Sequence, residues 1–528
     1  MTSLDAAQNR HVVIDRRSGQ YLCFPDVCLA DDGSLVCVYN EFDRHVGTRR
    51  RLLIRRSGDQ GRTWGAPASP LDAQDVQSHC PRISRLNDGS LGIIDDAAPS
   101  VLHSRDNGLS WTWREAVGIR HGLLDHLREL GDGRLFTAGH VHLGTEPLPK
   151  IRQAPTEQVC YHSRDRGGTW QQLATITRED CLVLCEASVI GLPGAGVGGQ
   201  PRLLALMREN SFVGEPMYFC ISEDGGASWS APAPTPLVGH RPTLGWTRSG
   251  RLLVTYRDVG PDLGTKAWLG ELDELCSGFC VHGLHPAPGS VALTPEGLRI
   301  ASASGPDEPV RYLLRPLTDA ASAHADFEAE VLVRAAEEQG CGIRLGVWWR
   351  LYPDCIVPDA EGAGAVAWEP GKPHRVRIVH EPGLCRLFVD GEPCGEYPVD
   401  QLDGNTRPIL FGATSRRENN ACEAFWRSVR LDIREPQPGG APGQEREYSW
   451  RWDYTQGLPD AFIDSRVLEL KNDRDAAPGD FGYSGWAELA DGEFYCVHHH
   501  AASREPEYLE GYSAHVLGTR FFEHDFGV

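Results

Sequence analysis

The stretch YHSRDRGGTW (residues 161–170) decides the fold. It leaves an apolar run, turns on charged and glycine residues, and closes on a tryptophan. The pattern Ser-x-Asp-x-Gly-x-x-Trp recurs in IRRSGDQGRTW (54–64), LHSRDNGLSW (102–111) and CISEDGGASW (220–229). Each position has a local reason. The aspartate accepts from the amides of its own turn, the glycine takes a backbone angle closed to other residues, and the tryptophan offers an apolar body to bury between neighbouring sheets. Self-similarity at this spacing signals a repeat architecture, and these aspartates read as turn-makers rather than catalysts.

A second signal runs beside the first. DVCLADDGSLVCVYN, RISRLNDGSLGIIDD, HLRELGDGRLFTAGH, TLGWTRSGRLLVTYR and GWAELADGEFYCVHH each place two apolar strands around a short turn, at Asp32-Gly33, Asp88-Gly89, Asp132-Gly133, Ser249-Gly250 and Asp491-Gly492. ASVIGLPGAGVGGQPRLLALMREN repeats this around a longer glycine-rich loop, bringing the number of units to six. Six hairpin-based sheets predict an all-β, six-bladed propeller whose blades bury their faces on one another.

From Gly250 to Gly492 there is too much chain for one blade step. The excess contains alternating strands such as FEAEVLVRA, IRLGVWWRLY and HRVRIVHE, which predict an inserted β-sandwich. The chain therefore reads as blades one to five over 1–279, the insert over 280–436, and a return linker with the final blade over 437–528. The Pro/Gly stretch REPQPGGAPGQERE (434–447) reads as the linker, with the propeller resuming at YSWRWDY (448–454).

The 52 basic and 73 acidic residues leave a formal charge of −21, which argues against nucleic acid or an anionic membrane as partner. The N-terminus has no apolar stretch of signal-peptide length and no segment reads as a membrane span, so a cytoplasmic location is expected. The 16 cysteines fall mostly in apolar runs without paired CxxC sets, as buried thiols do. In CVHHH (496–500) only His498 and His500 share a strand face, and no third ligand follows by spacing. No metal and no cofactor are expected.

Hairpin geometry locates a site. Residues equally far on either side of a turn lie at the same end of the strand pair. Eight positions after each turn stand Asn40, Asp96, His140, Arg257 and His499, and strand matching adds Arg208. Eight before stand Phe24, Cys80, Leu124, Arg241 and Tyr483, with His79, His126 and His240 adjacent. Inner strands of a propeller converge, so these polar ends should ring one mouth of the channel.

With these motifs the chain resembles the sialidase (neuraminidase) superfamily over roughly residues 20–275 and 448–528, and its boxes resemble that group's Asp-boxes. The insert resembles the laminin-G and concanavalin A-like sandwiches that accompany such propellers. The resemblance implies Tyr483 of GYSGW as nucleophile and Glu186 of CEASV as its partner. It implies Arg208 of LMREN as a carboxylate-binding arginine, with Arg241 of GHRPT and Arg257 of TYRDV competing for a further place. The family's first arginine is missing, since LCFPD carries Cys23 there, and its acid/base aspartate falls on Asp43 only out of register.

The expectation is an exo-acting glycosidase on a terminal acidic sugar of an oligosaccharide or glycoconjugate. Arg208, Arg241 and Arg257 would bind the substrate carboxylate, with Asn40, His79, His140, His240 and His499 lining the mouth. Glu186 would take the phenol proton of Tyr483, and Asp43, Asp96 or a histidine would protonate the leaving oxygen. Two alternatives share these residues: a lyase that eliminates from a uronate with histidine and tyrosine, and a carbohydrate-binding propeller without turnover.

Overall fold

The structure is a computed structural model. It describes residues 1–528 except 46, 73–74, 145–153, 180, 212, 261–262, 286–287, 306–308, 400–407, 416, 475, 477–480, 502–507 and 528. Six radial sheets form the propeller. Blade one holds Tyr21–Leu29, Leu35–Phe42 and Arg50–Ser57, and blade two Arg82–Arg85, Leu91–Asp95, Ser100–Ser104 and Thr112–Glu115. Blade three holds Arg128–Glu129, Leu135–His142, Thr156–Ser163 and Gln171–Arg178. Blade four holds Leu184–Ala195, Pro201–Glu209, Tyr218–Ser222 and Ala233–Pro234.

The last two blades draw on distant parts of the chain. Blade five takes Gly239–Trp246, Leu252–Asp258 and Gly264–Gly270, then Val467–Asn472 as its fourth strand, with Thr2–Ser3 beside it. Blade six takes Ser484–Glu488, Phe494–His500 and His515–Phe521, and its outer strand is the N-terminal His11–Asp15. The ring is therefore closed by main-chain hydrogen bonds between the two ends of the chain.

Everything between Gly270 and Val467 hangs from blade five. There, sheets of seven and eight strands face each other over one apolar core containing Trp349, Phe411 and Trp426. The expected resumption of the propeller at 448–454 is overturned. Glu445–Asp453 lies antiparallel to Cys422–Pro436 in the eight-stranded sheet, with Pro436 opposite Glu445. The Pro/Gly run taken for a return linker is thus a hairpin loop. Trp452 is buried in the sandwich core and Trp450 and Tyr448 pack on it, so the alternating aromatics belong to the sandwich face. Among the described residues no helix is long and apolar enough to cross a membrane.

The boxes sit where a blade's third strand turns outward. In the third box Asp165 accepts from the Thr169 amide at 2.9 Å, the Thr169 hydroxyl at 2.8 Å, the Gly168 amide at 3.0 Å and the Ser163 hydroxyl at 2.8 Å. Gly167 has φ +91°, and a Cβ there would press on Val101 of blade two. Trp170 donates to the Gly167 carbonyl at 2.9 Å and is buried against Val101 and Val159, sealing blade three on blade two. Trp64 of the first box reaches the Tyr495 hydroxyl of blade six at 3.2 Å.

Burial pushes the Asp165 carboxyl up, but its turn donors outweigh it and hold the pKa at about 2. Asp59 and Asp106, held first by Thr63 and Ser110, lie at about 2 as well. A depressed carboxyl stabilises the fold above its unfolded pKa of about 3.9 and loses that contribution as pH falls through its folded value. Asp165→Ala should therefore cost about 1 kcal/mol at neutral pH, a small figure because the group is solvent-screened. In urea melts the gap between variant and parent should close as pH falls toward about 2.

Candidate active site

The inner strand of every blade begins with the same backbone distortion. Phe24, Cys80, Leu123, Glu186 and Arg241 open blades one to five at φ of 54°, 47°, 49°, 49° and 49°, and Gly482 holds the place in blade six at 83°. For a residue with a Cβ this left-handed conformation costs about 1–3 kcal/mol, and such residues cluster at functional sites. Strand pairing slips at the same points, between Cys23 and Asp26, Cys185 and Ser188, and His240 and Thr243. These are bulges, and proline, which has no ladder donor, sits in two of them as Pro25 and Pro242. The bulges gather side chains from all six blades at one end of the channel.

Four blades contribute to a buried cluster there. The Tyr483 hydroxyl donates to Glu186 Oε1 at 2.7 Å. Arg208 Nη1 donates to Glu186 Oε2 at 2.8 Å and to the Tyr483 oxygen at 2.9 Å, and its Nη2 is held by Asn210 Oδ1. The guanidinium carbons of Arg257 and Arg241 lie 4.9 Å and 5.8 Å from the Tyr483 ring centre. Arg241 donates to the carbonyls of Leu123 and Leu124 at 3.3 Å and 3.2 Å, and Arg257 to His240 Nδ1 at 3.0 Å. The Glu186 amide donates to His140 Nδ1 at 3.3 Å.

Electrostatics follow from this packing. Burial opposes the Glu186 charge, but Arg208 and Arg241 overcome it and hold the carboxyl far below its usual range. Burial and then Glu186 raise the Tyr483 phenol, against the pull of Arg208 and Arg257. Burial drives His140 down to about 3 and His240 well below its normal value, so both are neutral. The cluster carries three guanidiniums against one carboxylate, an anion-attracting centre in a chain of net charge −21.

Phe24 covers one side of Tyr483, with ring centres 5.0 Å apart, and His79 and His499 each lie 5.6 Å from Phe24. His79 Nδ1 is 2.8 Å from Asp96 Oδ1, and its Nε2 is 3.8 Å from the Cys80 sulfur. Burial works against a charged ring, but Cys80 and Asp96 prevail and push the His79 pKa up to about 11. Its side chain keeps 25% of its surface exposed, whereas Asp96 behind it keeps 4%.

The channel is plugged below this cluster. His126 Nε2 pairs with Asp26 Oδ2 at 2.8 Å and its Nδ1 with Asp125 Oδ1 at 3.1 Å. The same aspartates tie blades together, Asp26 accepting from the Ile83 amide at 2.9 Å and Asp125 from the Val189 amide at 2.8 Å. Beyond the plug a cavity of about 720 Å³ opens at the other end, lined by Arg128, Trp246, Trp486 and the turn ends of the inner strands. This void and the titratable cluster thus occupy opposite ends of the channel. We place the candidate active site with the cluster, because reaction requires groups that exchange protons at hydrogen-bond distance.

Of the residues singled out from sequence, Tyr483, Glu186, Arg208, Arg241, Arg257, His79, Asp96, His140, His240 and His499 all reach this end. Three do not take the expected place: His126, which lies in the plug below, and Asn40 and Asp43. Asn40 is fully buried and saturated, donating to Ser78 and the Arg51 carbonyl at 2.8 Å and 3.2 Å and accepting the Cys80 amide at 2.8 Å. It holds the left-handed start of blade two and offers no atom to a substrate. Asp43 is exposed and accepts from the Arg49 amide at 3.3 Å. From that loop His45 comes near instead, 6.4 Å from Phe24 and hydrogen-bonded to the Tyr21 hydroxyl at 2.6 Å. Sequence reasoning placed Phe24 and Cys80 at this end without a chemical role and did not single out Asn210. Asn210 was findable, since it shares the Arg208 strand face two residues on.

No family model matches the chain, and no curated protein matches it. Solved structures do. A protein of unknown function from Dyadobacter fermentans is 13% identical over 97% of each chain, with a TM-score of 0.47. A Trypanosoma rangeli sialidase, solved in complex with 2,3-difluoro-KDN, is 14% identical over 78% of this chain and 81% of that one, at 0.35. A xylan β-1,4-xylosidase from Bacillus halodurans is 14% identical over 80% and 99%, at 0.32. Likeness at this level assigns no activity, and the fold stands on the strand pairing described above.

Removing the single carboxylate would leave buried guanidiniums without a counter-charge. Glu186→Ala should destabilise the fold by about 3–5 kcal/mol in chemical denaturation. Tyr483→Phe removes one hydroxyl from the same network and should cost about 0.5–1.5 kcal/mol.

Proposed function

We propose that the protein is a glycoside hydrolase acting on a terminal acidic sugar, with Tyr483 as nucleophile. The observation that carries this reading is the 2.7 Å contact between the Tyr483 hydroxyl and Glu186, bridged by Arg208. A phenol is an apt nucleophile beside an anionic substrate, because it attacks without bringing a full carboxylate charge against the sugar's own. Arg208, Arg241 and Arg257 supply donors and charge for the substrate carboxylate.

In the first step the Tyr483 oxygen bonds to the anomeric carbon while its proton passes to Glu186. The glycosidic C–O bond breaks, and His79, charged and partly exposed, gives its proton to the leaving oxygen. Asp96 stabilises the charged ring and fixes its orientation. In the second step water attacks the anomeric carbon, His79 takes the water proton, and Glu186 returns its proton to the departing phenol. The arginines neighbouring Tyr483 stabilise negative charge on its oxygen in both steps.

The raised pKa of His79 supports the hydrolytic reading over elimination. A lyase would need a basic nitrogen to take the proton beside the substrate carboxylate, but His79 held at about 11 is an acid, and the neutral His140 and His240 already use Nδ1 to accept from the Glu186 amide and from Arg257. A binding propeller without turnover would have no need of a phenol, carboxylate and charged imidazole around one ring.

The test is a panel of acidic glycosides read by reducing-sugar release and by ultraviolet absorbance. Hydrolysis yields new reducing ends without absorbance, elimination yields absorbance, and a lectin yields neither. Tyr483→Phe should abolish turnover while the far-ultraviolet dichroism is unchanged, and full activity in that variant removes the nucleophile. Arg208→Ala should raise KM for carboxylate-bearing substrates far more than for neutral ones. Equal effects on both would sink recognition through the carboxylate.

A pH profile probes His79. Its acid form persists below about 11, so kcat/KM should lack an alkaline limb through the neutral range. Asp96→Asn removes one of the two groups that raise His79, Cys80 being the other, and should move that limb to lower pH.

A further inference from the structure

The two crossings between propeller and sandwich meet at one polar cluster. His285 follows the first sandwich strand, His282–Leu284. Asp460 and Asp464 flank and enter the short helix Ala461–Arg466, which leads back into blade five. His285 Nε2 is 2.9 Å from Asp460 Oδ2 and 3.8 Å from Asp464 Oδ2. One ligand atom from each of the three lies within 4.8 Å of the others.

Ion pairing alone leaves this cluster unsatisfied. The Asp460 side chain has 0% of its surface exposed, yet its Oδ1 has no hydrogen-bond partner. An unpaired buried acceptor is destabilising, and more so when charged. The Tyr312 hydroxyl is likewise buried and unpartnered, on a ring 6.2 Å from His285. Burial raises the Tyr312 pKa, and Asp460 and Asp464 add to the rise, so the hydroxyl feels both carboxylates. The Met1 ammonium is 3.0 Å from Asp464 Oδ2, which offsets one charge but does not reach Asp460 Oδ1.

We propose that His285, Asp460 and Asp464 form a divalent transition-metal site that clips the neck of the inserted sandwich. An imidazole with two carboxylates suits Zn²⁺ or Mn²⁺, whereas Ca²⁺ and Mg²⁺ favour all-oxygen shells. A cation bound by both Asp460 oxygens would satisfy the stranded Oδ1. The ligand separations are close to the roughly 3.3 Å that a tetrahedral zinc site sets between its donors. The clip would join positions 285 and 460, and cross-linking the ends of so long a loop stabilises mainly by restricting the unfolded chain.

The experiment uses the full chain, stripped by chelator and dialysed, then titrated separately with ZnCl₂, MnCl₂ and CaCl₂. Bound metal is measured by elemental analysis and the melting temperature by calorimetry. The parent should take up zinc or manganese in a single equivalent and, at a metal concentration about 100-fold above its Kd, melt about two degrees higher with it. His285→Gln and Asp460→Asn should each weaken uptake by more than the roughly 10–100-fold that loss of an outer-shell partner costs. If His285→Gln lacks the parent's circular dichroism, Asp464→Asn takes its place. Uptake and melting unaltered between parent and variants would overturn the site, as would binding of calcium alone. A parent that takes up no metal would reduce the cluster to an ionic clasp with the N-terminus.

Discussion

A β-strand alternates its side chains, so an undistorted inner strand would send every second residue away from the channel axis. The left-handed residue opening each inner strand removes that constraint. It costs backbone strain in five residues that carry a Cβ, and it turns Phe24, Glu186, Arg241 and the residue after Gly482 toward a common centre. The site depends on this repeated device more than on any single contact. Neighbouring blades support it with side-chain hydrogen bonds to the distorted backbone, Asn40 holding the Cys80 amide and His140 the Glu186 amide.

Once gathered, the charged groups must satisfy one another. A lone buried carboxylate or guanidinium would change protonation or draw in water, whereas here Arg208 binds both Glu186 and Tyr483 and is itself held by Asn210. The surplus of positive charge is left for an anion. The His126–Asp26–Asp125 plug below keeps this cluster apart from the wide cavity at the turn end, so the large void there does not report the position of the reactive groups.

The sandwich is joined to the propeller between two strands that pair with each other, Gly264–Gly270 and Val467–Asn472. An insertion there leaves blade five complete, because its third and fourth strands still meet whatever the loop between them contains. The same topology brings exit and return side by side and concentrates His285, Asp460, Asp464 and Tyr312 at the neck. The error at 448–454 has a matching cause. Alternating aromatics mark a strand with one buried face, but they do not say which sheet supplies the other side, and a Pro/Gly run serves a hairpin loop as readily as a linker.

By itself the sequence determined what is short-range. Ser163, Asp165 and Thr169 find each other within a few residues, and the polar-Gly turns fix hairpin register, so blades, boxes and the polar ends of the inner strands could be read directly. Tertiary structure alone decided which of those ends meet and in what state. Tyr483 and Glu186 lie 297 positions apart, and His79 is kept charged by Cys80 and by Asp96, the latter 17 residues on. Asn40 looked like a site residue and proved to be a brace, while Asp43 yielded its place to His45. The reason is physical. Local hydrogen bonds need only chain geometry, whereas proton affinity and side-chain pairing across a channel are set by burial and by neighbours that ring closure alone brings within reach.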